Sequence, residues 1–304
     1  MRALVTGGGG FIGRHVVAAL AATGARVHCL TGPPASGLNA PPGAHDAFEA
    51  EIWDVNVVQA HSADMDVVVH LAGPASVAES FVDPCGYVRA HVEGTASVLE
   101  ASRRAGVSRV VYVSSAEVYG TPASNPVSED QPLRPRSPYA AAKAGAEHLI
   151  EAYRQAFGHR AVILRPFSIY GPGASPQSLI GRIVSQLRSG GDIVLADLRP
   201  VRDYCFVTDL ARAVVHACTR DVADGVFNVG SMQGTSVEEI ARLLRTAAGR
   251  DARIVESASP RRSGEILGLV ADNRRARLLL GWQPEIGLPD GLRSVWSGDP
   301  ACGC

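Results

Sequence analysis

Arg2-Ala3-Leu4-Val5-Thr6-Gly7-Gly8-Gly9-Gly10-Phe11-Ile12-Gly13 is the stretch that decides how this chain of 304 residues folds. A short apolar run breaks into glycines, and helical periodicity then follows through Val16, Val17 and Leu20 to Gly24. The order is strand, glycine turn, helix. Such a turn lets backbone N–H groups approach a pyrophosphate, and the helix N-terminus adds a favourable partial charge. The position after a first strand and before a helix gives an otherwise weak fingerprint its meaning. Gly7, Gly10, Phe11, Ile12 and Gly13 are therefore candidate dinucleotide contacts.

Further along, a second strand is expected at Arg26 to Leu30, and an acidic residue there would bond the adenosine ribose. Thr31-Gly32-Pro33-Pro34 stands instead. With neither a carboxylate for the ribose nor an arginine for a 2′-phosphate, the reading leans to NAD and leaves NADP open. Residues 32 to 46, rich in Pro, Gly, Ala and Ser, read as a loop. Further apolar strands are predicted at Val67 to Leu71, Arg109 to Val113, Ala161 to Leu164 and Val226 to Val229. Helical segments at about Tyr87 to Ala105, after Ser137, at Asp209 to Thr219 and at Ser236 to Ala248 lie between or after them. Strands alternating with helices predict an α/β fold, a doubly wound parallel sheet covered on both faces. The turn Ala72-Gly73-Pro74 falls at a strand C-terminal end, where such sheets place their ligands. Beyond residue 172 the spacing becomes irregular, with another helix near Leu179 to Ser189. The expected division is a dinucleotide-binding domain at 1–172, its sheet completed by segments from about 202–230, and a smaller lobe over most of 173–304.

Lys143 is the single lysine among 29 basic residues, the other 28 being arginine. It follows a helix start, with Ser137 as N-cap and Pro138 at the first helical position. Tyr139 and Lys143 are then i and i+4 on one face. A phenol beside a permanently charged ammonium is expected to titrate below its free value of about 10.

Composition narrows the function classes. At 46% apolar content and a formal charge of −1, the chain has a sizeable core and no basic run, so neither nucleic acid nor a membrane surface is an expected partner. No apolar run reaches the roughly 18 residues that span a bilayer, and the first residues go straight into a strand. A cytoplasmic protein is the expectation. Six cysteines lack any CxxC pair, so no metal site or disulfide framework is indicated. Cys29, Cys205 and Cys218 read as core residues, and Cys302 and Cys304 as tail.

In order along the chain, Thr6 to Gly13, His70-Leu71-Ala72, Gly94-Thr95, Ser114-Ser115 with Val118-Tyr119-Gly120, Tyr139 with Lys143, Arg165-Pro166, Tyr170-Gly171-Pro172, Arg202-Asp203, Asn228-Val229-Gly230 and Leu280-Gly281-Trp282 resemble one family. It is the extended short-chain dehydrogenase/reductase family, in particular its nucleotide-sugar epimerases and dehydratases. The resemblance spans nearly the whole chain. It implies a Rossmann-type sheet with a smaller C-terminal substrate-binding lobe, a nucleoside-diphosphate sugar as substrate, and a homodimer built on paired helices. It also implies that Thr31, Leu71, Ala72, Lys143 and Pro166 join the glycine turn in holding the cofactor. Tyr139 would remove the proton from a sugar hydroxyl, usually at C4, with Ser115 bonding the reacting oxygen and Lys143 holding the cofactor ribose. Ser168, Arg202 and Arg262 would contact the substrate.

Three departures from that pattern bear on the reaction. Glu117 stands where simple epimerases commonly have a small or hydroxyl residue, and a carboxylate there could act as base at C5 of a 4-keto sugar. Ala116 stands where 4,6-dehydratases usually carry the aspartate that expels the C6 hydroxyl. Ser168 and His91 each replace a usual asparagine, and His91 reads as a helix residue packed near the sheet. Two alternatives stand beside this reading: an NADPH-dependent 4-keto-sugar reductase, and a non-catalytic NAD(P)-sensing regulatory protein, against which the intact Ser115, Tyr139 and Lys143 set argues.

Overall fold

The computed structural model describes residues 1–33, 36–220, 224–257 and 266–298. The N-terminal part runs β1 (Arg2–Thr6), α1 (Phe11–Ala22), β2 (Arg26–Leu30), β3 (Asp46–Phe48), α2 (Val55–Ser62), β4 (Val67–His70), α3 (Val77–Ser80) and α4 (Pro84–Val88). After a π-helical turn at Arg89–Glu93 come α5 (Gly94–Ala105), β5 (Arg109–Val113), a 3-10 turn at Ala116–Tyr119, α6 (Pro138–Phe157) and β6 (Ala161–Pro166). Then follow β7 (Ser168–Tyr170), α7 (Leu179–Arg188), β8 (Ile193–Leu195), β9 (Val201–Phe206), α8 (Val207–Thr219), β10 (Gly225–Val229) and β11 (Gly234–Ser236). The described chain closes with α9 (Val237–Ala248), β12 (Ile254–Glu256), β13 (Gly268–Leu269), a π turn at Ala276–Leu280 and α10 (Leu288–Ser297).

Seven strands form one sheet in the order β10-β6-β5-β4-β1-β2-β3, and every pairing within it is parallel. Strands buried on both faces read as continuous apolar runs, which is why β4, β5 and β6 show no polar alternation. Successive side chains nonetheless divide between two cores. Ala3, Val5, Val69, Val111 and Leu164 pack with α1 and α8, whereas Leu4, Val68, Tyr112 and Ile163 pack with α2, α5 and α6. The direction of chain progression reverses between β1 and β4, and a crevice opens at the C-terminal ends of strands at such a point.

A third core lies in the C-terminal part. Tyr170, Ile183, Leu187, Tyr204, Phe206, Ile240, Leu244 and Leu292 join α7, α9 and α10 to a small sheet of β7, β9, β11 and β13. Two sequence motifs serve its joints. The Trp282 indole donates to the Asp209 carbonyl at 2.8 Å, and the Asp209 carboxylate accepts from Glu285 N and Ile286 N at 3.1 Å each. The Asp203 carboxylate accepts from Ser231 N, Met232 N and Ala271 N at 2.6, 2.9 and 3.1 Å. It thereby pins the turn in which Met232 holds a left-handed φ of 64°.

Local signals explain the helix that matters most. Ser137 Oγ accepts from Ala140 N at 3.1 Å, Pro138 opens α6, and Gly158 closes it with φ 64°. Three expectations need correction. The loop expected at 32–46 gives way at Asp46 to the edge strand β3. Helix α2 has no counterpart in the sequence reading. The helix expected from Tyr87 to Ala105 is α4, a π turn and α5 in succession. Among the described residues, no helix is long and apolar enough to cross a membrane.

Candidate active site

The crevice begins at the glycine turn. A Cβ on Gly7, whose φ is 74°, would lie 2.8 Å from the Ala72 backbone. One on Gly13 would lie 2.1 Å from the Gly7 carbonyl oxygen. Only glycine lets the turn press against the end of β4 while α1 closes over it. Gly10 caps α1 without a side-chain hydrogen bond, so the first N–H groups keep no internal side-chain partner. A bare backbone cradle at a helix N-terminus is what a pyrophosphate requires, and the residues present fit a dinucleotide. Leu71 N donates to the Thr6 carbonyl at 3.1 Å and Ala72 N to Thr6 Oγ1 at 3.4 Å, which places both at the same end of the sheet. His70 is structural: its ring bridges Thr6 Oγ1 at 2.8 Å and Thr95 Oγ1 at 3.1 Å.

Thr31 directly follows β2 beside the turn, and its hydroxyl proton is already engaged. Its hydroxyl donates to the Phe48 carbonyl of β3 at 3.3 Å. Pro166 ends β6 and pairs in register with Val229.

Across the crevice, Ser115 follows β5 and caps the 3-10 turn, accepting from Glu117 N at 3.2 Å. Its hydroxyl is near enough to that of Tyr139 to act on the phenol's titration. Lys143, one turn further along α6, donates to the Val113 carbonyl at 2.8 Å and lies 4.8 Å over the Tyr112 ring. The four expected catalytic residues thus come together, with Glu117 close enough for its charge to act on the phenol. The expected depression of the phenol is not what these surroundings produce. Burial pushes Tyr139 up to about 12; the Ser115 hydroxyl pulls the other way, while Glu117 and Tyr87 add to the rise. Burial also lowers Lys143 to about 7 against the opposing charge of Glu147. The amine is turned toward β5, and it is not the permanent charge that the i, i+4 spacing alone suggested.

Two aromatic rings flank the phenol. His91, in the π turn, packs edge-on at 5.5 Å between centroids, and Tyr87 packs at 6.2 Å. The sequence placed His91 near the sheet without assigning it to the site, and it left Tyr87 unmarked.

Behind this face lies a buried polar network. Glu147, another turn along α6, pairs with Arg165 of β6 at 2.6 Å, their side chains 4% and 6% exposed. Glu147 also accepts from Ser114 Oγ at 2.5 Å. Arg165 donates to the Tyr119 hydroxyl at 2.8 Å, which donates to Asn228 Oδ1 at 2.7 Å. Four motifs of the sequence meet in this one chain of bonds.

A cavity of about 630 Å³ lies in the C-terminal part, lined by Ser168, Arg182, Leu195, Arg202 and Tyr204 among others. Tyr139, Ser115 and Lys143 are not among its walls. The expected substrate contacts Ser168 and Arg202 therefore share a wall set of their own, next along the chain from the end of β6. Arg262 lies outside the described residues, as do Cys302 and Cys304. Among the described residues, no group of three or more histidine, cysteine, aspartate or glutamate side chains could hold a metal ion.

Residues 3–230 match the NAD dependent epimerase/dehydratase family. The chain is a member of that family. It is similar to the UDP-glucose 4-epimerase of Mycolicibacterium smegmatis, with 35% identity over 96% of both chains. It is also 35% identical to the dTDP-glucose 4,6-dehydratase of Streptomyces griseus, over 96% of this chain and 92% of that one. Among solved structures, the UDP-glucose 4-epimerase of Thermotoga maritima with UDP-glucose superposes with a TM-score of 0.91, at 30% identity over 98% of each chain. Family membership makes the chain an NAD-dependent enzyme of the extended short-chain dehydrogenase/reductase type, on the Rossmann-type sheet expected.

Two measurements test the energetics of the site. Glu147→Ala leaves Arg165 buried and unpaired, and is expected to lower stability in urea by about 3–5 kcal/mol. Replacing both partners with methionine should recover most of that loss, because no uncompensated charge remains. Lys143→Met addresses the depressed amine. Its folded value near 7 lies below the ordinary 10.5, so between these values the unfolded chain binds more protons and wild-type stability rises with pH. The methionine variant lacks that gain, so its advantage at pH 7 should shrink by roughly 1 kcal/mol per pH unit toward pH 9 in urea titrations.

Proposed function

We propose that this enzyme oxidises the C4 hydroxyl of a nucleoside-diphosphate sugar and returns the hydride to the resulting 4-keto sugar. The observation that carries the reading is the convergence of Ser115 on Tyr139, with Lys143 one turn away in the same buried face. NAD, when bound, accepts the hydride from C4. Tyr139 takes the hydroxyl proton and later gives it back, and Ser115 holds the reacting oxygen between the two hydroxyl groups. Lys143 holds the cofactor ribose. Gly7, Gly10, Phe11, Ile12 and Gly13 hold the pyrophosphate by backbone N–H groups, with Leu71, Ala72, Thr31 and Pro166 as packing contacts around the cofactor.

On the substrate side, Arg202 and Ser168 bind the diphosphate, and most of the lobe at 173–304 supplies the surface for the nucleotide. Support comes from the cavity, whose volume is that of an ordinary small-molecule site. Epimerisation is favoured over 4,6-dehydration by position 116. Ala116 is 2% exposed and packs with Val118, Tyr119 and Phe167, and a methyl group has no proton to donate to a departing C6 hydroxyl. Glu117 remains as base at C5, where a neighbouring ketone makes the proton acidic.

Tyr139→Phe should lower turnover by about 100- to 10,000-fold while the purified protein retains NAD. Activity at the wild-type level in that variant would remove the proposed base. For Glu117, incubation with UDP-, dTDP- and GDP-sugars in deuterated water is expected to place deuterium at C5. Glu117→Gln should suppress that exchange and spare C4 oxidation; unchanged exchange would rule the carboxylate out.

A further inference from the structure

The cavity at Ser168 and Arg202 carries a second cation on its wall. Arg182 of α7 is exposed and lines it. Among the described residues, its guanidinium makes no hydrogen bond or ion pair. The carboxylate on the same wall is already taken. Asp197 accepts from Arg199 Nε at 3.0 Å, from Arg199 Nη2 at 2.8 Å and from Arg199 N at 3.0 Å. The donors of Arg182 are left facing the cavity.

Gln186 fixes where that guanidinium stands. Its side-chain amide donates to the Val194 carbonyl at 3.1 Å and accepts from Val194 N at 2.8 Å, as a neighbouring strand would. This locks α7 to β8. Only the turn 189–192 separates the two elements, so the strand runs back along the helix. Arg182 lies one turn before Gln186 on the same face of α7. Four helical residues rise about 6 Å and two strand residues about 6.6 Å, which brings Arg182 opposite Ala196. Leu179 and Leu195 add apolar walls to this slot. The slot and the Ser168–Arg202 end are built on different layers: β8 pairs with β12, whereas Ser168 and Arg202 belong to β7 and β9 of the other small sheet.

A nucleoside diphosphate has the same two ends, a charged diphosphate and a flat base with apolar faces and a polar edge. With the diphosphate at Arg202 and Ser168, the base falls in the slot. A guanidinium only donates, so it bonds a carbonyl oxygen at the base edge and meets an amino group donor to donor. We propose that Arg182 is a specificity-determining residue that donates to O4 of uracil or thymine, or to O6 of guanine, and disfavours cytosine and adenine, which carry an amino group at that position. The proposal rests on the reading of Arg202 and Ser168 as the diphosphate end. It narrows the substrate to sugars on a keto base.

The test measures the affinity of the NAD-loaded enzyme for UDP, dTDP, GDP, CDP and ADP by calorimetry, with thermal melting of every variant. UDP and CDP share ribose and diphosphate and differ only at the base edge. Wild type should bind the best of the three keto diphosphates at least about 10-fold tighter than CDP or ADP. Arg182→Met should weaken that best ligand about 10- to 100-fold, the effect of a hydrogen bond from a charged donor, and move CDP and ADP by less than about twofold. Arg182→Lys also only donates and should keep the order of preference. The proposal is overturned if CDP or ADP binds wild type as tightly as the best keto diphosphate, or if Arg182→Met weakens all of them alike, as loss of a phosphate contact would. It is also overturned if a folded Arg182→Met changes none of them, or if Arg182→Lys reverses the order. Arg202→Met is the separate control: it should weaken every diphosphate by a common factor, and unchanged affinities there would defeat the reading of the diphosphate end, whatever Arg182 does.

Discussion

The ion pair between Glu147 and Arg165 is the constraint on which the rest of the site depends. Two almost fully buried charges are tolerated only with close geometry and satisfied remaining bonds. The bonds are supplied by Ser114 at the end of β5, Tyr119 in the 3-10 turn and Asn228 in β10. The pair therefore locks the C-terminal ends of three parallel strands to the middle of α6. Tyr139, Lys143 and Glu147 are spaced by four residues on that helix, so fixing Glu147 fixes the height and rotation of the face carrying the other two. A polar network of this kind is stable only when complete.

Burial is the second theme, and it works against the charges that the reaction uses. The phenol of Tyr139 is raised and the amine of Lys143 lowered, each chiefly by loss of solvent. Both groups are thus held in their neutral forms more firmly than in water. For the proposed role of base at neutral pH the phenol needs neighbours that favour its ionised form, and Ser115 is the one that lowers it. The aromatic edges of Tyr87 and His91 pack against the phenol ring.

Much of this was legible in the sequence because the signals were local. β1, β4, β5 and β6 read as apolar runs, the glycine turn followed a first strand, and Ser137-Pro138 announced the start of α6. Ser115, Tyr139 and Lys143 were identified through motifs, and they converge. What was not legible was either short or non-local. β3 has three residues and sits at a sheet edge, and α2 has only Val58 and Ser62 buried to mark its inner face. The π turn at Arg89–Glu93 carries no compositional mark, yet it is what turns His91 toward Tyr139. Arg165 was noticed as part of a motif, but its pairing across 18 residues with Glu147 could not be seen from spacing. The expected depression of the phenol failed for a similar reason: helical spacing predicts proximity, while burial, a tertiary property, sets the sign of the shift.

The central claim is that a sugar hydroxyl is oxidised at Tyr139 by NAD that stays with the enzyme and is regenerated. The most direct measurement is rapid mixing of the purified holoenzyme with UDP-, dTDP- and GDP-sugars while the absorbance of reduced nicotinamide is followed, without added cofactor. The account predicts that one of these sugars produces a transient rise that decays as product appears. Product formation that needs added NADPH and consumes it in equal amount, or no nicotinamide signal with any sugar, would contradict it.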